Sequence, residues 1–240
     1  MLFYLATLED ANLSQHYLMM QNMLLKIENI ISGVIGSLIV IFLTLPVHEF
    51  AHGFVANKLG DPTARYQGRL TLNPLAHLDI IGSLCILLIG FGWAKPVPIN
   101  SYYFKKPKRD IAITALAGPV SNLLMALIAA LIRNVFIYLV GFRFAFVGYV
   151  VLTLHYVSLI NISLATFNLI PIPPLDGSRI ISAFLPNRIY YKLMQLERYS
   201  MWIILILAFT GLLDGPIYAV SNFFFNGINF VAKLPFIALI

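Results

Sequence analysis

Three runs of this sequence carry no formal charge: residues 30–47, 111–132 and 144–170. As an α-helix rising 1.5 Å per residue, each is long enough to cross a hydrocarbon core of about 30 Å, or nearly so. Hydrocarbon offers no water to the peptide groups, so such runs must satisfy their own backbone, and unbroken apolar runs of this length do so as helices. The composition agrees: hydrophobic residues make up 60% and charged residues 11%, against roughly 45–50% and about 25% in a soluble domain. The expected fold is an all-α polytopic membrane protein built on a three-helix core.

Two shorter apolar stretches, 80–93 and 199–213, fall below the roughly 17–25 residues of a spanning helix. The tail from residue 217 is apolar but includes Asn222, Asn226, Asn229 and Lys233, so it reads either as a last span or as an interfacial helix. Residues 1–29 read as an amphipathic or surface segment. They lack the basic start of a secretory signal and mix Glu9, Asp10 and Asn12 among apolar residues. The expected organisation is this segment, a membrane core over 30–177, and a C-terminal part over 178–240 with a loop and one or two membrane helices.

The charges orient these spans. Of the 16 Lys and Arg residues, twelve lie in three loops, 58–69, 95–110 and 179–198, which the positive-inside tendency places in the cytosol. The first thirty residues set Lys26 against Glu9, Asp10 and Glu28 and fit the outer side. If the loops on both sides of 80–93 are cytosolic, that stretch enters the membrane and returns. Its ending in Gly90-Phe91-Gly92-Trp93 suits such a re-entrant element, followed by a hairpin or edge strand over 93–100 in which Pro96 and Pro98 face away from the pairing side. A full tilted span with one basic loop outside is the alternative. The net charge of +6 is accounted for by these loops and argues no nucleic-acid partner. Cys85 is the single cysteine, which excludes an internal disulfide framework and a four-cysteine metal site.

Where the first run ends, the sequence reads His48-Glu49-Phe50-Ala51-His52. Histidines four apart on a helix share a face and can converge on one tetrahedral zinc, with the intervening Glu placed to take a proton from a water. Ionisable residues are costly inside a membrane and are functional by default. A catalytic zinc takes a third protein ligand, and Asp176 is the best candidate. It follows Pro171, Pro173 and Pro174, which end regular helix and let the chain bend back. Taken alone, that stretch reads equally well as a helix-ending turn with an exposed Asp. His77, Asp79 and His155 read as hydrogen-bonding or packing residues and not as further ligands.

The two motifs together resemble the site-2 protease family of intramembrane zinc metalloproteases (peptidase family M50), in its small prokaryotic form without PDZ or CBS domains. The H-E-x-x-H pattern is His48, Glu49 and His52, and the N-x-x-P-x-x-x-L-D-G pattern is Asn168, Pro171, Leu175, Asp176 and Gly177. The resemblance implies one zinc ion per chain held by His48, His52 and Asp176, with Glu49 as the catalytic residue and the site near the cytosolic side. A G-x-x-x-N match at Gly118 and Asn122 implies a substrate or oxyanion contact, with Asn168 a further candidate. For Gly118, close helix packing is the competing reading.

The function this implies is hydrolysis of a peptide bond within or next to a transmembrane segment of a substrate protein. The protein would be an integral component of a prokaryotic plasma membrane, its partners the lipid bilayer and the substrate. Short loops leave no room for an inserted PDZ domain, and no regulatory domain is expected after Ile240. A non-proteolytic zinc transporter or sensor is the alternative, and it would give Glu49 no task. Substrate identity and oligomeric state are not legible.

Overall fold

The computed structural model describes residues 2–89 and 92–239, with side chains described from residue 21 onward apart from a few later positions. In chain order the helices are α1 (Leu2–Ile39), α2 (Leu45–Leu59), α3 (Thr63–Tyr66), α4 (Pro74–His77), α5 (Ile80–Ile89), α6 (Pro107–Val135), α7 (Ala145–Asn168), α8 (Asp176–Ser182), α9 (Asn187–Gln195), α10 (Ser200–Thr210) and α11 (Asp214–Lys233). No strand occurs among the described residues. Four stretches are long and apolar enough to cross a membrane: Gln21–Leu59, Pro107–Val140, Phe146–Asn168 and Asp214–Leu239.

The first span does not stop at Val47. Pro46 has no N–H to give the preceding turn, and a π-turn over Val40–Thr44 absorbs the defect, with the Leu45 N–H reaching Val40 five residues back. The helix then continues as α2 until Gly60, whose φ of 114° is open to glycine and ends it. The His48 motif therefore lies within a long helix and not at its exit. At its other end α1 is continuous through residues 29 and 30.

Packing centres on α6, which lies against α2, α7, α8 and α11, while α1 packs on α7. Val40, Ile41, Leu45, Ile86, Ala129, Val157 and Leu164 form the buried apolar cluster joining these helices. Small residues bring α6 and α7 close: Ala126, Ala129 and Ala130 are buried, and the Ser158 hydroxyl donates to the Ala126 carbonyl at 3.2 Å.

Over the stretch 80–93 the chain turns back on itself. α5 is ten residues long, about 15 Å of helix and half a bilayer core. The chain then returns so closely that a Cβ on Gly82 would meet the Trp93 backbone, and one on Gly92 would meet Gly82. Residues 90 and 91 lie outside the described residues. The hairpin or edge strand expected after this element is not formed: residues 92–100 have neither helix nor strand among the described residues. Pro96 and Pro98 have no N–H to pair, and other partners take nearby donors. Lys95 N–H donates to the His77 carbonyl at 2.8 Å, Val97 N–H to Glu49 Oε2 at 2.9 Å and Asn100 N–H to Asp61 Oδ2 at 2.6 Å.

The tail forms α11, which packs along α6 and α7, whereas the eleven residues of α10 make about 17 Å of helix, short of a span. Polar contacts fasten α11. Arg133 donates to Asn229 Oδ1 at 2.6 Å, Asn134 Nδ2 donates to the Ala232 carbonyl at 2.8 Å, and Ser221 donates to Thr166 Oγ1 at 3.1 Å. Arg133 is 8% exposed, so losing its acceptor leaves a buried donor unpaired. Asn229→Leu is expected to cost about 1–3 kcal/mol, read as a lower thermal midpoint in detergent with earlier proteolysis of the C-terminal helix. An unchanged midpoint would remove this contact from the forces holding α11.

The three basic loops meet at one end of the bundle. Arg69 donates to the Lys95 carbonyl at 2.9 Å and the Pro96 carbonyl at 3.3 Å, linking 58–69 to 95–110. Lys108 Nζ donates to the Leu185 carbonyl at 2.7 Å, linking 95–110 to 179–198.

Candidate metal centre

α2 carries His48 and His52 one turn apart on the face turned to α6. Their rings meet edge to face, with centroids 4.7 Å apart and planes at 85°, and their Nε2 atoms are 3.1 Å apart. Asp176, the first residue of α8, brings Oδ2 to 3.3 Å from His52 Nε2 and 3.6 Å from His48 Nε2. The bend at 169–175 puts it there. Three prolines remove donors, and the remaining amides close tight turns, with Ile172 N–H on the Ile170 carbonyl at 2.8 Å and Leu175 N–H on the Ile172 carbonyl at 3.0 Å.

The donor set suits zinc. Bonds of about 2.0–2.2 Å in a tetrahedron separate the donor atoms by roughly 3.3–3.6 Å, close to the spacing of these three. Asp176 Oδ2 is buried with no hydrogen-bond partner, a costly state for a carboxylate oxygen unless a cation sits beside it. His52 Nδ1 lies 2.8 Å from the Thr114 carbonyl. A carbonyl can only accept, so Nδ1 carries the proton there and Nε2 keeps the lone pair facing Asp176. Gly118 on α6 makes room for the rings: a Cβ at that position would lie 2.5 Å from His48 Cε1 and still closer to His52.

Glu49, 8% exposed, points into a cavity of about 660 Å³ that is also lined by His48, His52, Asp176, Asn168 and Trp93. Its Oε2 accepts from the Val97 N–H at 2.9 Å. Asn168 thus joins the candidate site. Gly118 and Asn122 are not among the residues lining the cavity; Gly118 packs against both histidine rings and Asn122 is fully buried. Several contributors had no plain signal in the sequence. The Thr114 carbonyl is backbone, and Tyr190, Ser200 and Ile204 reach the cavity from the C-terminal part. The Val97 N–H had one signal, since the flanking Pro96 and Pro98 make it the single donor of that tripeptide.

The residues set aside as ligands lie elsewhere. His77 has Nε2 on the Thr71 carbonyl at 2.8 Å, and its burial holds its pKa below the ordinary range. Asp79 Oδ1 accepts from the Gly82 N–H at 2.8 Å at the start of α5. His155 Nδ1 is 3.2 Å from Arg133.

The model of Peptidase family M50 matches residues 135–213, which include the Asp176 motif. A relative 42% identical over 176 residues, 72% of this chain and 80% of its own length, is the "Putative zinc metalloprotease YwhC" of Bacillus subtilis (strain 168). The chain belongs to peptidase family M50. A protein of Mycolicibacterium smegmatis with the same description, Rip2, is 27% identical over 195 residues, 77% of this chain and 70% of its own. Zinc metalloprotease MJ0392 of Methanocaldococcus jannaschii is 26% identical over 153 residues, 64% of this chain and 35% of its own. No solved structure matches the chain. This M50 peptidase is a zinc metalloprotease and, with its long apolar helices, an integral membrane protein.

Proposed function

We propose that this M50 protein hydrolyses a peptide bond within or next to a transmembrane segment of a substrate protein, using zinc held by His48, His52 and Asp176. The observation that carries the reading is the meeting of these three side chains with Glu49 on one cavity, with His48, Glu49 and His52 carried by a helix long enough to cross a bilayer. When bound there, zinc supplies a Lewis acid that acidifies a water and polarises a carbonyl. Glu49 accepts the proton of the attacking water and passes it to the leaving amine. Its Oε2 is held by Val97, so Oε1 is the oxygen left to face the water. Asn168 lies on the cavity wall, where it can meet substrate backbone. The catalytic unit is the 30–177 core, with the C-terminal part covering the cavity.

The basic loops lie at the end of the bundle where Arg69 holds the Pro96 carbonyl, and Pro96 lines the cavity. By the positive-inside tendency that end faces the cytosol of a prokaryotic cell, and water reaches the site from there. A metal transporter or sensor would have no use for a carboxylate held beside the three ligands.

Two measurements test this reading. In proteoliposomes holding a single-span substrate, mass spectrometry of the products is expected to place the cut inside or at the edge of the span; cuts confined to soluble segments would overturn the intramembrane reading. Purified His48→Ala/Asp176→Ala is expected to lose its single equivalent of zinc, and full retention would overturn the ligand set.

A further inference from the structure

α6 presents Thr114, Gly118 and Asn122 at intervals of four residues, so they lie in line along one face. That face lies against the two histidines of α2. The glycine is the gap over which both rings sit. On one side of the gap His52 Nδ1 meets the Thr114 carbonyl at 2.8 Å. On the other side Asn122, 0% exposed, lies alongside the His48 ring. His48 Nδ1 and both amide atoms of Asn122 are buried without a hydrogen-bond partner. Leaving three such groups unpaired in a dry contact costs about 1–3 kcal/mol each, a cost that pairing the His48 ring with the Asn122 amide would relieve.

We infer that Asn122 is a positioning residue for His48, its side-chain oxygen accepting the Nδ1–H so that Nε2 keeps its lone pair turned towards His52 and Asp176. The two acceptors on α6 then do the same task for the two histidines, one through backbone and one through side chain. A direct contact with substrate or oxyanion fits the geometry less well. Asn122 does not line the cavity and is fully buried beside His48.

The inference rests on the proposed reading of His48 as a zinc ligand. It is tested by zinc affinity in chelator competition and by the visible spectrum of the cobalt-substituted protein, with far-UV circular dichroism as the fold control. Asn122→Leu removes the acceptor at similar volume and is expected to weaken zinc binding about 10–100-fold with a changed cobalt spectrum. Asn122→Asp keeps an acceptor oxygen and is expected to bind zinc within about threefold of wild type or tighter. Wild-type affinity and spectrum in Asn122→Leu, with a raised KM alone, would overturn the inference and return Asn122 to a substrate contact. If Asn122→Leu does not fold, the Asp variant decides, and binding more than threefold weaker overturns the inference. His48→Ala separates the two levels: wild-type zinc binding there sinks the ligand reading itself, whereas zinc loss in His48→Ala without loss in Asn122→Leu sinks the Asn122 role alone.

Discussion

Glu49→Gln is expected to lower cleavage of a membrane substrate by about 10³-fold or more, within the range that loss of a general base produces, while the protein keeps one equivalent of zinc. The substitution is nearly isosteric. The Gln carbonyl can still accept from the Val97 N–H, which holds Glu49 Oε2 at 2.9 Å, so the side chain stays on the cavity wall. What it loses is the capacity to accept a proton. Zinc content, helicity and substrate binding should therefore survive, and the variant should retain bound substrate that wild type would turn over. Retention of wild-type turnover would remove Glu49 from the chemistry. Loss of zinc together with turnover would make its role structural.

The second large effect is expected from the smallest change available, a methyl group at Gly118. A Cβ there would lie 2.5 Å from His48 Cε1 and would also overlap the His52 ring, closer than carbon atoms approach without displacement. Alanine is the better helix former by about 0.8–1.0 kcal/mol, so α6 itself should be unharmed. The histidines must move instead. A misplacement of about 1 Å can cost 10²-fold in rate, and Gly118→Ala is expected to lose at least that much activity and to weaken zinc binding at least about tenfold. The decisive comparison is between zinc affinity and thermal midpoint. A large fall in affinity with little change in the midpoint places the damage at the metal centre, whereas wild-type affinity and turnover would show that the rings do not need the gap.

Much of this molecule was legible from charge and spacing. Runs without charge announced the core spans, because hydrocarbon tolerates only backbone that satisfies itself. The basic loops announced their common end of the bundle, and Arg69 and Lys108 now tie those loops together there. The spacing of His48 and His52 announced a shared helical face. The exit of the first span was misplaced because the uncharged run stops at Val47, just before Glu49, whereas the helix passes through a π-turn over Val40–Thr44 and continues to Leu59 with the motif inside it. The alternating prolines of 96–98 suggested an edge strand, but the intervening N–H is used on Glu49. An N–H is the same donor whether it meets a strand or a carboxylate, and local pattern cannot distinguish them.

The sequence by itself determined the chemistry the chain can perform: which side chains can bind a metal, which can carry a proton, and that both must work among membrane helices. Tertiary structure decided the convergence. Asp176 lies 124 residues beyond His52, and only the packing of α8 on α6 and the bend before it bring its carboxylate to 3.3 Å from that ring. The same holds for Gly118, Thr114 and Asn122, whose evenly spaced positions acquire meaning only when α6 lies against α2. Spacing along one helix follows from the backbone repeat and can be counted, whereas contact between helices depends on how whole surfaces fit.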